Sequence, residues 1–104
     1  MKTLAGTMKT TGEILATLGE FKSYAANRYG IDSMGVFGSV ARDEQTECSD
    51  VDIFYRGKAL SLLTMDLLQC ELEKLLGCKV DIVRMRDNMD PLLRNRIAKE
   101  GRDV

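Results

Sequence analysis

The sequence predicts an α/β (α+β) fold, a small mixed sheet flanked by helices, and three observations carry that expectation. Stretches with apolar residues at helical spacing alternate with short apolar runs of strand length, in the order α-β-(α)-β-α-β-α. Glycines stand at the junctions, with Gly30, Gly57 and Gly77 each closing an element. The 104 residues suffice for one modest core but not for a separate substrate-binding domain. Residues 1–104 are therefore read as a single domain, with residues 1–9 a frayed lead-in.

Each element has its own local reason. Thr10 followed by Glu13 is a capping-box pattern that opens a helix to about Tyr29. Ile14, Leu18, Phe21 and Ala25 recur along it at helical spacing as a core stripe, and Gly30 stops it. Met34 to Phe37 is a short buried strand in which Gly35 permits close backbone approach. Val40 to Asp43 reads as a turn or so of helix and Glu44 to Ser49 as a loop. Asp50 to Arg56 is the second strand. From about Leu60 to Leu76 the pattern is helical, with Met65, Leu68, Leu72, Leu75 and Leu76 on one face. Cys78 to Arg84 is the third strand. Asp90-Pro91 is an N-cap followed by proline at the first helical position, so a last helix runs to about Glu100.

The totals exclude several classes of function. A net charge of −1 gives no broad electrostatic grip on nucleic acid. Arg84, Arg86, Arg94, Arg96, Lys99 and Arg102 crowd the last fifth of the chain, where they form either a local basic patch or a solvated helix face. Cys48, Cys70 and Cys78 lack metal-ligand spacing, and with no histidine to join them they read as reduced thiols. Neither a signal peptide nor a membrane-spanning stretch is present, so a cytoplasmic protein is expected.

The chemistry gathers in the stretch Gly38-Ser39-Val40-Ala41-Arg42-Asp43-Glu44-Gln45-Thr46-Glu47-Cys48-Ser49-Asp50-Val51-Asp52. Side chains alternate along a strand, so Asp50 and Asp52 share a face. Two neighbouring anions repel, and burying either without compensation is costly. A divalent cation removes both penalties, and an all-oxygen donor set in a chain without histidine favours Mg²⁺ over zinc. The Gly38-Ser39 turn offers a close backbone approach, a hydroxyl and outward N–H groups, which suit phosphate oxygens. Asp81 stands inside an apolar strand, where aspartate is disfavoured. Either that strand is an edge with Asp81 in solvent or paired to an arginine, or Asp81 is a third carboxylate facing Asp50 and Asp52.

Gly-Ser, ten intervening residues and Asp-Val-Asp together resemble the signature of the DNA polymerase beta-type nucleotidyltransferase superfamily. At this length the chain is similar to the minimal nucleotidyltransferases, the antitoxin partners of HEPN toxins, from about Thr11 onward. The resemblance implies the minimal nucleotidyltransferase fold, Asp81 as third catalytic carboxylate, and the run Pro91 to Gly101 as the family's closing helix. It further implies a HEPN ribonuclease toxin as partner and transfer of AMP from ATP to a toxin tyrosine. Val40 and Asp43 depart from the common pattern, where arginine and glycine often stand.

The mechanism expected from this resemblance uses two Mg²⁺ ions. Asp50 and Asp52 hold one on the triphosphate, and with Asp81 they hold a second that activates the acceptor hydroxyl. Gly38 and Ser39 anchor the β- and γ-phosphates. Arg42 either adds charge beside them or forms a surface salt bridge with Glu44 or Glu47. The alternatives to an antitoxin enzyme are an antitoxin that neutralises by binding alone and a small-substrate nucleotidyltransferase. Exposed apolar surface on the Leu60–Leu76 helix or the last helix would favour a homo- or hetero-oligomer.

Overall fold

The computed structural model describes residues 10–42 and 50–104; the lead-in expected at residues 1–9 and the loop expected over residues 44–49 lie outside them. Its elements are α1 (Thr11–Tyr29), β1 (Ile31–Phe37), β2 (Val51–Gly57), α2 (Leu62–Leu76), β3 (Val80–Arg84), α3 (Pro91–Glu100) and β4 (Arg102–Asp103). The sheet order is β3-β2-β1-β4. β1 runs antiparallel to β2 and to β4, whereas β2 and β3 are parallel. The expected mixed sheet flanked by helices is the one observed, with an added short edge strand.

The capping box forms as written in the sequence. Glu13 N–H donates to the Thr10 hydroxyl at 3.1 Å and Thr10 N–H donates to the Glu13 carboxylate at 2.8 Å. Gly30 ends α1 in the left-handed region, where a side chain would be strained. Ser61 caps α2 by accepting from Thr64 N–H at 3.2 Å, which starts that helix at Leu62. Asp90 caps α3 by accepting from Leu92 N–H at 3.1 Å, with Pro91 following.

The two faces of the sheet are covered unequally, and this asymmetry positions the site. On one face α1 and α2 bury Ile14, Leu18, Phe21 and Ala25 with Leu68, Leu72 and Leu76 against Ile31, Met34, Val36, Ile53 and Tyr55. Glu71 of α2 ties these helices together, accepting from Tyr24 at 2.9 Å and from the Tyr29 hydroxyl. Among the described residues the other face carries one helix, α3, whose Ile97 joins Phe37, Phe54 and Met89 in a small second cluster.

Three expectations need correction. Leu75 is 46% exposed, because the buried stripe of α2 runs through Leu68, Leu72 and Leu76 and leaves Leu75 at its margin. Leu62, Leu63 and Leu67 face outward as well. β3 begins at Val80, two residues later than expected, where its pairing with Val51 starts. β4 was not anticipated at all. After Gly101 the chain turns back along β1, so Arg102 and Asp103 pair with Val36 and Gly35. A Cβ on Gly35 would overlap the Arg102 carbonyl and the Phe54 ring, so glycine is needed where β4 crosses. Among the described residues no helix is long and apolar enough to cross a membrane.

Because Ile97 is the apolar anchor of α3, Ile97→Ala should destabilise the protein by about 2–4 kcal/mol. Urea unfolding checks this; a change under about 0.5 kcal/mol would mean that α3 is held by its caps and ion pairs instead.

Candidate active site

The end of β1 meets the start of β2. Phe37 pairs with Asp52, which sets Gly38 beside the Asp52 carboxylate. Gly38 has φ of +73°, and a Cβ there would overlap Asp52 Oδ2. Glycine is thus required for both conformation and space. The Gly38–Arg42 segment closes as one turn, with Arg42 N–H donating to the Gly38 carbonyl at 3.1 Å. The expected short helix is no more than this turn as far as Arg42, and Asp43 lies outside the described residues.

Three tethers aim the turn. The buried Thr11 hydroxyl donates to the Val40 carbonyl at 3.0 Å. Val40 itself is sunk in the main core. From β4, Arg102 donates to the Ala41 carbonyl at 3.4 Å. Ser39 is left half-buried and Arg42 exposed between these anchors.

The parallel register of β2 and β3 pairs Asp52 with Asp81. Residues opposite each other in a ladder share a face, so both carboxylates lie on the side that carries α3. Asp52 is half-buried, Asp81 is exposed on the edge strand, and Asp50 is exposed one step before β2 begins. The Asp52 carboxyl is held above its ordinary pKa, first by burial and then by the charge of Asp81. Arg96 opposes this, Asp50 adds to it, and Arg42 opposes it again.

Among the described residues no group of three His, Cys, Asp or Glu side chains stands close enough to cage an ion. The register brings two carboxylates side by side, Asp52 and Asp81, rather than three. Two suffice for Mg²⁺, which commonly takes one or two carboxylates and completes its shell with water and substrate phosphates. The all-oxygen donors, and the repulsion that a dication relieves, fit that ion.

Arg42, weighed first as charge beside the phosphates or as a salt bridge with Glu44 or Glu47, has a described partner on α3. Its guanidinium reaches Glu100 of α3 at 2.8 Å, while Glu44 and Glu47 lie outside the described residues. Glu100 also takes Arg96 on the same oxygen at 3.4 Å. Of the basic residues near the end, Arg84 donates to the Gly57 carbonyl and Arg94 to the Asp87 carbonyl. Sequence reasoning missed Arg96 and Glu100. Their i,i+4 spacing beside apolar Ile97 was legible, but nothing in the pattern says that this helix side looks toward Gly38.

A left-handed glycine turn set against paired carboxylates on adjoining strands is a geometry that suits phosphoryl or nucleotidyl transfer. The polymerase beta nucleotidyltransferase family model matches residues 20–104, and the chain belongs to that family. The protein adenylyltransferase MntA of Thermococcus cleftensis is 41% identical over 93 residues, covering 88% of this chain and 89% of that one. A structure described as a minimal nucleotidyltransferase superposes with a TM-score of 0.77 at 35% identity, covering 92% of this chain and 97% of the other. The fold is also shared with a chain of the complex between a tri-AMPylated Shewanella oneidensis HEPN toxin and its MNT antitoxin. That match has 21% identity and a TM-score of 0.62, and covers 86% of this chain and 68% of that one.

The raised Asp52 pKa carries a stability signature. An acid whose pKa is higher folded than unfolded stabilises the fold while protonated, and that contribution is lost as pH rises through the folded value. Asp52→Asn should therefore raise the Tm of the metal-free protein at pH 7. The gain should fade below about pH 4, where an unperturbed aspartate is itself neutral. A lower Tm for the variant at pH 7 would contradict this electrostatic picture.

Proposed function

We propose that this chain is a Mg²⁺-dependent protein adenylyltransferase acting as an antitoxin, transferring AMP from ATP to a tyrosine hydroxyl of a HEPN ribonuclease toxin. The observation that carries the reading is the Asp52–Asp81 pairing beside the Gly38 turn. The adenylyltransferase relative and the shared fold with the AMPylated-toxin complex support it.

The tyrosine oxygen attacks the α-phosphorus of ATP as the bond from that phosphorus to the bridging oxygen breaks. Pyrophosphate leaves, and an aryl phosphodiester joins AMP to the toxin. Gly38 N–H and the Ser39 hydroxyl bind the β- and γ-phosphates, and Arg42 adds positive charge at the mouth of the turn. Asp50, Asp52 and Asp81 would hold Mg²⁺, which would neutralise charge on the departing pyrophosphate and lower the pKa of the acceptor hydroxyl. Asp81, exposed on its edge strand, would take the proton released by tyrosine. A macromolecular acceptor suits the site because, among the described residues, α3 is the one helix on that face of the sheet.

A second reading has its own observation. Leu62, Leu63 and Leu67 are exposed on α2, away from the carboxylates, and such a surface can neutralise a partner by contact. The double change Asp50→Asn and Asp52→Asn separates the two. With α-labelled ATP, Mg²⁺ and a HEPN toxin encoded beside it, the native chain should label the toxin, and the double variant should lose about 10³-fold or more in rate. No label from the native chain overturns the enzymatic reading. A double variant that still protects cells fully makes contact the sufficient mechanism.

A further inference from the structure

The space above Gly38 is bordered by one negative and one positive group. The point where a Cβ would stand is crowded by the Asp52 carboxylate and lies 3.6 Å from the Arg96 guanidinium. Arg96 reaches this place from α3 by lying over the Phe37 ring, 5.9 Å from its centroid. Glu100, one helical turn later, receives Arg96 at 3.4 Å and Arg42 at 2.8 Å on a single oxygen. One carboxylate therefore gathers two guanidinium groups, one from the turn after β1 and one from α3, at the edge of the glycine turn.

We propose that Arg96 is a ligand of the nucleotide's triphosphate, held in place by Glu100 until the nucleotide arrives. The inference rests on the reading of this site as nucleotide-binding and adds a residue from outside the Gly-Ser and Asp-Val-Asp segments. Charge supports it. Among the described residues, Asp50, Asp52, Asp81 and Glu100 set four negative charges around the site against three positive on Arg42, Arg96 and Arg102, an acidic excess that a divalent ion offsets. Once an ion occupies Asp52 and Asp81, the pull of those carboxylates on Arg96 is cancelled. Its strongest remaining attraction is to a polyanion laid against the turn. Arginine is suited to this exchange because its planar fork binds a carboxylate and a phosphate in the same geometry. The exposed end of the guanidinium needs no backbone movement to make it.

A purely structural role for Arg96, pinning α3 through Glu100, makes a different prediction, and the two are separable. Equilibrium binding of ATP with Mg²⁺, and of AMP as a probe lacking the β- and γ-phosphates, is measured for the native chain, Arg96→Ala, Arg96→Lys and Glu100→Gln. Arg96→Ala should weaken ATP binding about tenfold or more while leaving AMP binding and the unfolding temperature near native values. Arg96→Lys should recover part of the loss, since it restores charge without the fork. Glu100→Gln releases Arg96 from its carboxylate and should leave ATP binding unchanged or tighter. If Arg96→Ala binds ATP as the native chain does, or if Glu100→Gln weakens ATP as much as Arg96→Ala, the proposal is overturned. Should Arg96→Ala fail to fold, the contrast between Arg96→Lys and Glu100→Gln carries the same decision. A folded native chain that binds neither nucleotide overturns the site reading itself, an outcome distinct from any loss confined to the Arg96 variants.

Discussion

Two carboxylates at the same level of adjoining parallel strands repel each other, and the surroundings of the site answer that repulsion. Asp52 and Asp81 owe their adjacency to backbone register, so neither can move away without unzipping β2 from β3. Asp52 feels the strain more, being half-buried where Asp81 is exposed. Arg96 and Arg42 offset part of the excess from one side, and a dication would remove it from the other. The fold thus holds an unfavourable charge arrangement in place, as sites of phosphoryl-transfer chemistry commonly do.

The arrangement is tolerable because the opposite face of the sheet supplies the stability. α1 and α2 bury an apolar surface that runs unbroken through Ile31, Val36, Ile53 and Tyr55, while the functional face keeps a small cluster around Phe37, Phe54, Met89 and Ile97. β2 belongs to both worlds: Ile53 and Tyr55 point into the main core, and Asp52 and Phe54 point the other way. Alternation along one strand converts burial on one side into positional precision on the other. The Thr11–Val40 hydrogen bond does similar work for the turn, fixing the geometry around Gly38 from within the hydrophobic layer.

Much of this was legible in the sequence where the cause is local. The capping box at Thr10 and Glu13, the stop at Gly30, the cap at Asp90 and the proximity of Gly38 to Asp52 all follow from short-range patterns. Asp81 was legible as an anomaly, an acid in an apolar strand, and the register sets it beside Asp52. What escaped depends on packing between distant segments. Leu75 fits the helical repeat, yet it falls at the margin of the contact with the sheet. The two residues of β4 have no strand signal and pair because Gly101 and Gly35 let the chain pass over the Phe54 ring. Arg96 and Glu100 read as ordinary exposed helix charges, since only the tertiary path of α3 brings them to Gly38. Three converging carboxylates were expected; the register pairs Asp52 with Asp81, while Asp50, exposed one step before β2, acts on Asp52 through its charge.

α3 is sewn down at both of its ends. Before it, Met89 is buried in the small cluster; after it, β4 zips onto β1, and Val104 N–H continues the seam by donating to the Met34 carbonyl at 3.0 Å. A helix fastened this way is a wall, not a door. Admission of a ligand beside Gly38 then falls to side-chain rotation, on picosecond to nanosecond scales, and not to the slower swing of a secondary-structure element.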